Sequence, residues 1–204
     1  MKSRYSDSRL GRYGIRFLCF VLVWNIAACG SSPSYAPKPR GFFRLEFPDR
    51  TYQVYESGCP FSFEFPQYSF MEVDRSPVAK PCWMDVVYPK FNARLHLSYF
   101  AFSSPQEFSS LLEDAHKYAF SHVAQASAIE QSRINIPDEA VYGVWYDIGG
   151  NVASNLQFFV TDSSRHYLRG ALYFNEAPRI DSIQPVLECL RVDVERMVET
   201  WRWQ

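Results

Sequence analysis

The chain has 204 residues and a formal net charge of −1 at pH 7, and its length predicts one domain or at most two small ones. A hydrophobic fraction of 47% and a charged fraction of 21% are globular proportions and argue against wholesale disorder. The near-neutral charge leaves no overall basic footprint for nucleic acid. Residues 1–28 nevertheless carry a net charge of +4 and the remainder −5, which sets the N-terminal segment apart.

The N-terminal segment is predicted to be an export signal. A basic stretch, residues 1–16, precedes an apolar run, residues 17–28. As a helix this run would span about 18 Å, which is short of the roughly 20 residues that a bilayer crossing needs. A basic region, a short apolar region and terminal small residues are typical of a secretory signal, so we assign the signal peptide to residues 1–28.

A cysteine follows the small residues directly. The run Ile-Ala-Ala-Cys ending at Cys29 resembles a bacterial lipobox, with Ile26 in place of the more usual leucine. This predicts lipidation of Cys29, although an uncleaved anchor helix with an incidental cysteine is the alternative. Residues 29–41 are rich in proline and serine and are predicted to form a semi-extended tether. Residues 42–204 are predicted to form a single globular domain.

The cysteines divide by position. Cys19 lies in the predicted signal and Cys29 is the lipid acceptor, which leaves three in an oxidising compartment. Cys59 and Cys82 each border a strand-like segment, whereas Cys189 lies in a helical pattern. We therefore predict a disulfide between Cys59 and Cys82, with three free buried thiols as the alternative. No cysteine or histidine spacing indicates a zinc site, and no metal is predicted.

Hydrophobic periodicity predicts strands interrupted by one helix, then a meander and a closing helix. A capping box at Ser104–Glu107 begins the first helix. A four-strand meander follows, at residues 127–136, 140–148, 151–161 and 165–174, with a tight turn at Gly149–Gly150. Ser182 is predicted to cap the closing helix, whose apolar stripe fits a helix on a sheet better than a coiled-coil seam. The predicted fold is α+β, a single antiparallel sheet of about six to eight strands covered by two helices, one on each face.

No catalytic constellation emerges from the sequence. Asp162, Ser164 and His166 lie within one predicted hairpin, whereas nucleophilic triads draw their members from separate elements. His116 and His122 are about 240° apart around a helix and cannot share a face. We therefore predict no enzymatic activity and no cofactor.

Four polar residues at or near the meander turns are candidates for a protein-contact surface: Asp147, Asn151, Asp162 and Arg165. Ordinary solvated turns are the alternative for each of them. Turns at the rim of a sheet project side chains without straining the core. Reversal of the charges at Asp162 and Arg165 is therefore expected to weaken assembly and to leave the melting temperature unchanged.

Several runs in the mature chain resemble one family. They are Cys59-Pro-Phe-Ser-Phe63, Tyr88-Pro-Lys90, Tyr146-Asp-Ile-Gly-Gly-Asn151, Ala171-Leu-Tyr-Phe174 and Glu199-Thr-Trp-Arg-Trp203. Together they resemble the gliding-motility lipoprotein GldD family of the Bacteroidetes, over about residues 39–203. The order of elements is also loosely similar to PsbP-like folds.

The resemblance implies a non-catalytic lipoprotein that is needed for gliding motility and for the associated type IX secretion machinery. It implies no cofactor, no nucleic acid, and partners among other gliding or secretion lipoproteins or envelope proteins, with membrane attachment through the lipid. No acidic cluster follows Cys29, which favours a periplasm-facing domain, on the outer rather than the inner membrane.

Two other classes of function stay open. A binder of a small ligand or cell-wall fragment would use an aromatic pocket, for which Trp83, Trp145 and Tyr146 are the candidates. A hydrolase would need His96 or His122 close to a carboxylate from a separate element, inside a cleft.

Overall fold

The computed structural model describes residues 45–204, which belong to one compact unit. The predicted signal peptide, the lipidation site Cys29 and the predicted tether lie outside the described residues. The assignments made for them from sequence therefore stay predictions.

Ten strands and two α-helices make up the described chain. The strands are β1 Tyr52–Glu56, β2 Phe61–Pro66, β3 Phe70–Val73, β4 Met84–Tyr88, β5 Ala93–Ala101, β6 Ala126–Ile136, β7 Val141–Gly150, β8 Leu156–Thr161, β9 His166–Phe174 and β10 Arg202–Trp203. The helices are α1 Pro105–Phe120 and α2 Ile180–Glu199. Short 3₁₀ turns follow β4, at Pro89–Phe91, and β6, at Pro137–Glu139.

The strands form two sheets, and the prediction of a single sheet is wrong. Seven strands pair in the order β3-β4-β5-β9-β8-β7-β6, and a separate sheet of three has the order β1-β2-β10. Every pair is antiparallel. The alternation Phe61-Ser-Phe-Glu-Phe65 identifies β2 as a strand correctly. The alternation does not show which strands β2 pairs with. In the structure β2 pairs with β1 and with the last residues of the chain, outside the large sheet.

The main core lies between the seven-stranded sheet and a layer made of α2 and the small sheet. Leu190, Val194 and Met197 of α2 are buried in it together with Leu95 of β5. Trp201, which follows α2, is fully buried, and its ring centroid lies 4.9 Å from each of two phenylalanine rings of β2. Stacked aromatic rings of this size contribute beyond the area that they bury. The small sheet is thereby fixed to the end of α2.

A second cluster lies on the opposite face of the seven-stranded sheet, beneath α1. The helix begins at the predicted capping box, since the Ser104 side chain accepts the Glu107 N–H. Its buried alanines, Ala115 and Ala119, pack with aromatic side chains from β7 to β9. Polar residues occupy the same face over β3, β4 and β5, outside this cluster. That part of the sheet is the setting of the cleft described below.

Two local predictions differ from the structure near the meander. Strand β7 continues through Gly150, whose φ of +97° suits glycine, and the next strand begins only at Leu156. The loop between them is held by Asn155, whose amide donates to the Ile148 and Gly150 carbonyls at 2.7 and 2.9 Å. A longer loop, held by the Asn155 side chain, therefore stands in place of the predicted tight turn at Gly149–Gly150.

A disulfide joins Cys59 and Cys82, with Cα atoms 5.8 Å apart, which is the pairing predicted from their strand-edge positions. Cys59 precedes β2 of the small sheet, and Cys82 precedes β4 of the large one. Among the described cysteines Cys189 alone is free, and it is buried in α2. The disulfide therefore links the two sheets covalently.

Candidate functional site

A shallow cleft lies on the open part of the seven-stranded sheet. Asp85 of β4 and His96 of β5 are direct cross-strand partners and share a face. The Nδ1 atom of His96 lies 2.6 Å from Oδ1 of Asp85. Arg94, on the same face of β5, donates to both Asp85 and Glu72 of β3. One guanidinium thus joins three strands around the histidine.

The electrostatics of this cluster keep Asp85 ionised. Partial burial raises the pKa of Asp85, but hydrogen bonds and charge attraction from His96 and Arg94 outweigh it and leave the pKa below its ordinary value. A neutral His96 ring donates from Nδ1 to this carboxylate, so its Nε2 atom is the free acceptor. Such a ring can accept a hydrogen bond or a proton from a bound molecule.

The cleft encloses about 320 Å³, near the lower end of the roughly 300–1,000 Å³ of small-molecule sites. Its other lining residues are Asp74, Trp83, Met84, Leu97, Ser98, Arg169 and Tyr173. Within residues 45–204 the His96 ring hydrogen-bonds only with Asp85, so no described nucleophile is hydrogen-bonded to it. The histidine–carboxylate contact that a hydrolase would need is present, and the arrangement suits binding and orientation of a small polar molecule.

The three aromatic residues proposed for a ligand pocket do not lie together. Trp83 lines the cleft, and its indole N–H donates to the Tyr99 carbonyl at 2.9 Å. Trp145 is buried in the main core and Tyr146 in the cluster beneath α1. Adjacent residues of a strand point to opposite faces, which is why neighbours in the sequence enter different clusters.

The other histidines have local packing partners. His166 lies 2.8 Å from the Tyr99 hydroxyl and stacks on Trp203, while His116 stacks on Phe120. Burial, together with the charge of Arg169, lowers the pKa of His122. Among residues 45–204, no group of three or more histidine, cysteine or acidic side chains is placed to hold a metal ion.

Two of the four predicted contact residues are tied to α2. Asp147 of β7 forms an ion pair with Arg191. The Asn151 side chain accepts the Ile180 N–H at 2.8 Å. Asn151 thus caps the helix from a distant loop, and the predicted cap at Ser182 is wrong, because the N-cap position is Arg179, three residues earlier.

The other two lie at the opposite end of β8. Asp162 and Arg165 occupy the β8–β9 turn, separated from Asp147 and Asn151 by the length of β8, about 20 Å. Successive turns of a meander alternate between the ends of a sheet, so the four residues form two separate groups. Partial burial raises the pKa of Asp162, but four hydrogen bonds within the turn outweigh it and lower the pKa to about 2.

The bonds at Asp162 predict a stabilising role, contrary to the expectation that charge reversal would leave the melting temperature unchanged. A carboxyl whose pKa is lowered on folding stabilises the fold above its unfolded pKa, and this stability is lost as pH falls through about 2. Asp162→Ala is expected to lower the free energy of unfolding by roughly 1–2 kcal/mol at pH 7 and by much less near pH 2. Urea denaturation at both pH values measures this, with Arg165→Ala as the control. An equal loss at both pH values would contradict it.

A groove runs between α2 and the edge strand β6. It consists of two cavities, of about 270 and 620 Å³, that share Asp147 and Arg191. Its floor includes Trp145, Ile134 and Val198. We call this surface the α2–β6 groove. It contains one of the predicted contact residues, Asp147.

Charge distinguishes the α2–β6 groove from the cleft. Four carboxylates line it, those of Glu130, Asp147, Glu195 and Glu199, against the single guanidinium of Arg191. The three glutamates are not among the site residues predicted from the sequence. The sequence does show that the glutamates of α2 lie off its apolar stripe and are therefore exposed. An amphipathic pattern cannot show that a groove lies beside them.

The described residues define an α+β domain of two antiparallel sheets with two surface depressions, and none of their helices is long and apolar enough to cross a membrane. The model of the gliding motility lipoprotein GldD family matches residues 32–203, and the chain belongs to this family. It is thus a gliding-motility-related lipoprotein of the cell envelope, from a family not known for enzymatic activity. The family expected from the sequence is confirmed.

Other comparisons concern the fold. The chain is similar to the solution structure of cyanobacterial PsbP (CyanoP) from Synechocystis sp. PCC 6803, with 11% sequence identity and a TM-score of 0.46. The similarity covers 87% of this chain and 99% of that chain. A search of the curated proteins finds no match.

Proposed function

We propose that the chain is a lipid-anchored, periplasm-facing docking subunit of the machinery for gliding motility and type IX secretion, without a catalytic role. The observation that carries the proposal is the family match over residues 32–203. The lipobox-like run ending at Cys29 supports the anchor, and the α2–β6 groove gives the domain a surface suited to a partner. Outer-membrane attachment and partners among envelope lipoproteins belong to the same proposal.

The anchor is tested by Cys29→Ser in a gliding strain that lacks its native copy. The serine hydroxyl does not replace the thiol as lipid acceptor, so palmitate labelling should disappear and leave a soluble or unprocessed species. Since firm attachment needs acyl chains, gliding and secretion should fall with it. Continued labelling in the variant would remove Cys29 from the proposal.

A second candidate function is the binding or turnover of a small polar molecule in the cleft, favoured by the Asp85–His96 contact beside Trp83. The same strain separates the two functions. Under the docking proposal, His96→Ala leaves gliding and secretion intact. If a folded, membrane-associated His96→Ala protein lost both gliding and secretion, the function would depend on the cleft and the docking proposal would fail.

A further inference from the structure

We propose that the α2–β6 groove binds an extended, basic segment of a partner protein, which adds to β6 as an eighth strand of the large sheet. The inference rests on the proposed docking function and names the surface and the chemistry of the partner. Strand addition supplies main-chain hydrogen bonds, while alternate side chains of the added segment enter the groove.

The first observation is the open edge of β6. This strand ends the seven-stranded sheet and pairs only with β7. A bulge interrupts its start, but from Ile129 to Ile136 the register is continuous, a length of about 26 Å. Exposed edges are usually blunted by charged side chains, proline, bulges or short length. From Ile129 to Ile136 this edge holds no proline and two charged residues, Glu130 and Arg133, and it runs for eight residues, whereas the opposite edge, β3, has only four.

The second observation is the shape of the surface beside this edge. Glu130, Ser132 and Ile134 alternate along β6 and line the groove with α2. A strand laid against β6 would send every second side chain over the same floor. Trp145 and Val198 make that floor apolar, so apolar side chains at alternate positions of the segment fit it.

The third observation is charge. Asp147 is paired with Arg191, but the other three lining carboxylates are exposed, and within residues 45–204 they form no ion pair. Two of them, Glu195 and Glu199, lie in the last turns of α2, where the helix dipole favours cations over anions. A basic segment supplies the missing partner charges.

The test uses the full chain in detergent and a labelled eight-residue peptide of alternating lysine and valine. We expect saturable binding by fluorescence anisotropy, weakened by added salt. A peptide of alternating glutamate and valine should not bind. A lysine–valine peptide with every backbone amide N-methylated keeps its charge but loses all its main-chain donors, and it should also fail. Equal binding of the methylated peptide would overturn strand addition.

Charge-reversal variants locate the site. Glu195→Lys with Glu199→Lys should weaken binding at least about tenfold, a loss of about 1.4 kcal/mol. Glu113→Lys with Asp114→Lys, a matched pair exposed on α1, should not weaken it. Because lysine suits a helix C-terminus, the groove variant should keep its melting temperature. Equal weakening in both variants would show non-specific attraction and overturn the site.

Hydrogen exchange identifies the occupant. The bound peptide should slow exchange of those β6 amides that point away from β7, and leave the β3 amides unchanged. Slow exchange of these outward β6 amides before the peptide is added would mean that the groove is already filled by the chain's own N-terminal segment or by a second copy, and it would overturn the proposal. If the peptide fails to bind while Cys29→Ser still abolishes gliding, the inference fails and the proposed docking function stands.

Discussion

Replacement of Asp193 by alanine is expected to lower the free energy of unfolding by about 3 kcal/mol, because it removes the acceptor of a buried polar cluster. The Asp193 side chain is fully buried in α2, and its carboxylate accepts hydrogen bonds from Tyr52 and Tyr68. Arg50 approaches the same carboxylate at 3.9 Å. The tyrosines come from the small sheet and from the segment after it, so the cluster ties these parts of the chain to α2. Urea denaturation measures the loss.

The Asp193→Asn variant separates charge from hydrogen bonding, since its amide oxygen can still accept. Burial raises the pKa of Asp193 and exceeds the opposing effects of the two tyrosine hydrogen bonds and Arg50. A folded state that binds a proton more tightly than the unfolded state loses stability as pH rises through its raised pKa. The wild type should therefore lose stability from pH 4 upwards, and Asp193→Asn should show a flatter profile. A steeper profile in Asp193→Asn would contradict the assignment.

Removal of the Cys59–Cys82 disulfide is expected to cost about 3 kcal/mol, from the entropy of closing a loop with a sequence separation of 23. The double variant Cys59→Ser with Cys82→Ser should unfold at lower urea concentration. Its dependence on urea should be steeper, because an unfolded chain without the cross-link exposes more surface.

The backbone at Cys82 provides the control for that measurement. Its φ is +64°, a conformation that costs other residues free energy and glycine very little. Cys59→Ser with Cys82→Gly should therefore recover part of the loss, since it removes the same cross-link without the backbone penalty. An equal loss in both double variants would mean that the positive φ at residue 82 carries no free-energy penalty, and would contradict this expectation.

The local sequence pattern predicted the helices and strands of this fold better than it predicted which strands pair with each other. Alternation located the strands of the meander, and the stripe through Leu190, Val194 and Met197 located the face of α2. It could not show that β2 leaves the large sheet to pair with β10, because pairing between residues some 140 positions apart leaves no local pattern. Asp193 was missed for a different reason. It lies three residues after Leu190 and four before Met197, so it falls on the buried stripe, where a carboxylate is the exception.

For the candidate sites, too, the sequence predicted local positions but not the contacts between distant residues. Asp162 and Arg165 lie in the β8–β9 turn and Asn151 follows β7, whereas Asp147 lies within β7. Turn chemistry cannot show that Asp147 and Asn151 contact α2 while the other two lie at the far end of β8. The Asp85–His96 contact depends on the register between β4 and β5. A shift by one residue would have put the two side chains on opposite faces.

The pairing of β2 with β10 has a consequence for biosynthesis. Arg202 pairs with Ser62, and the Gln204 N–H donates to the Pro60 carbonyl at 3.0 Å, so the second strand of the domain completes its sheet with the last residues of the chain. The ribosome makes β10 some 140 residues after β2. Until β10 emerges, the aromatic surface of β2 stays uncovered and Phe61 and Ser62 lack their strand partners, which exposes the growing chain to aggregation. The small sheet therefore stays unfinished until Trp201 and β10 have been made.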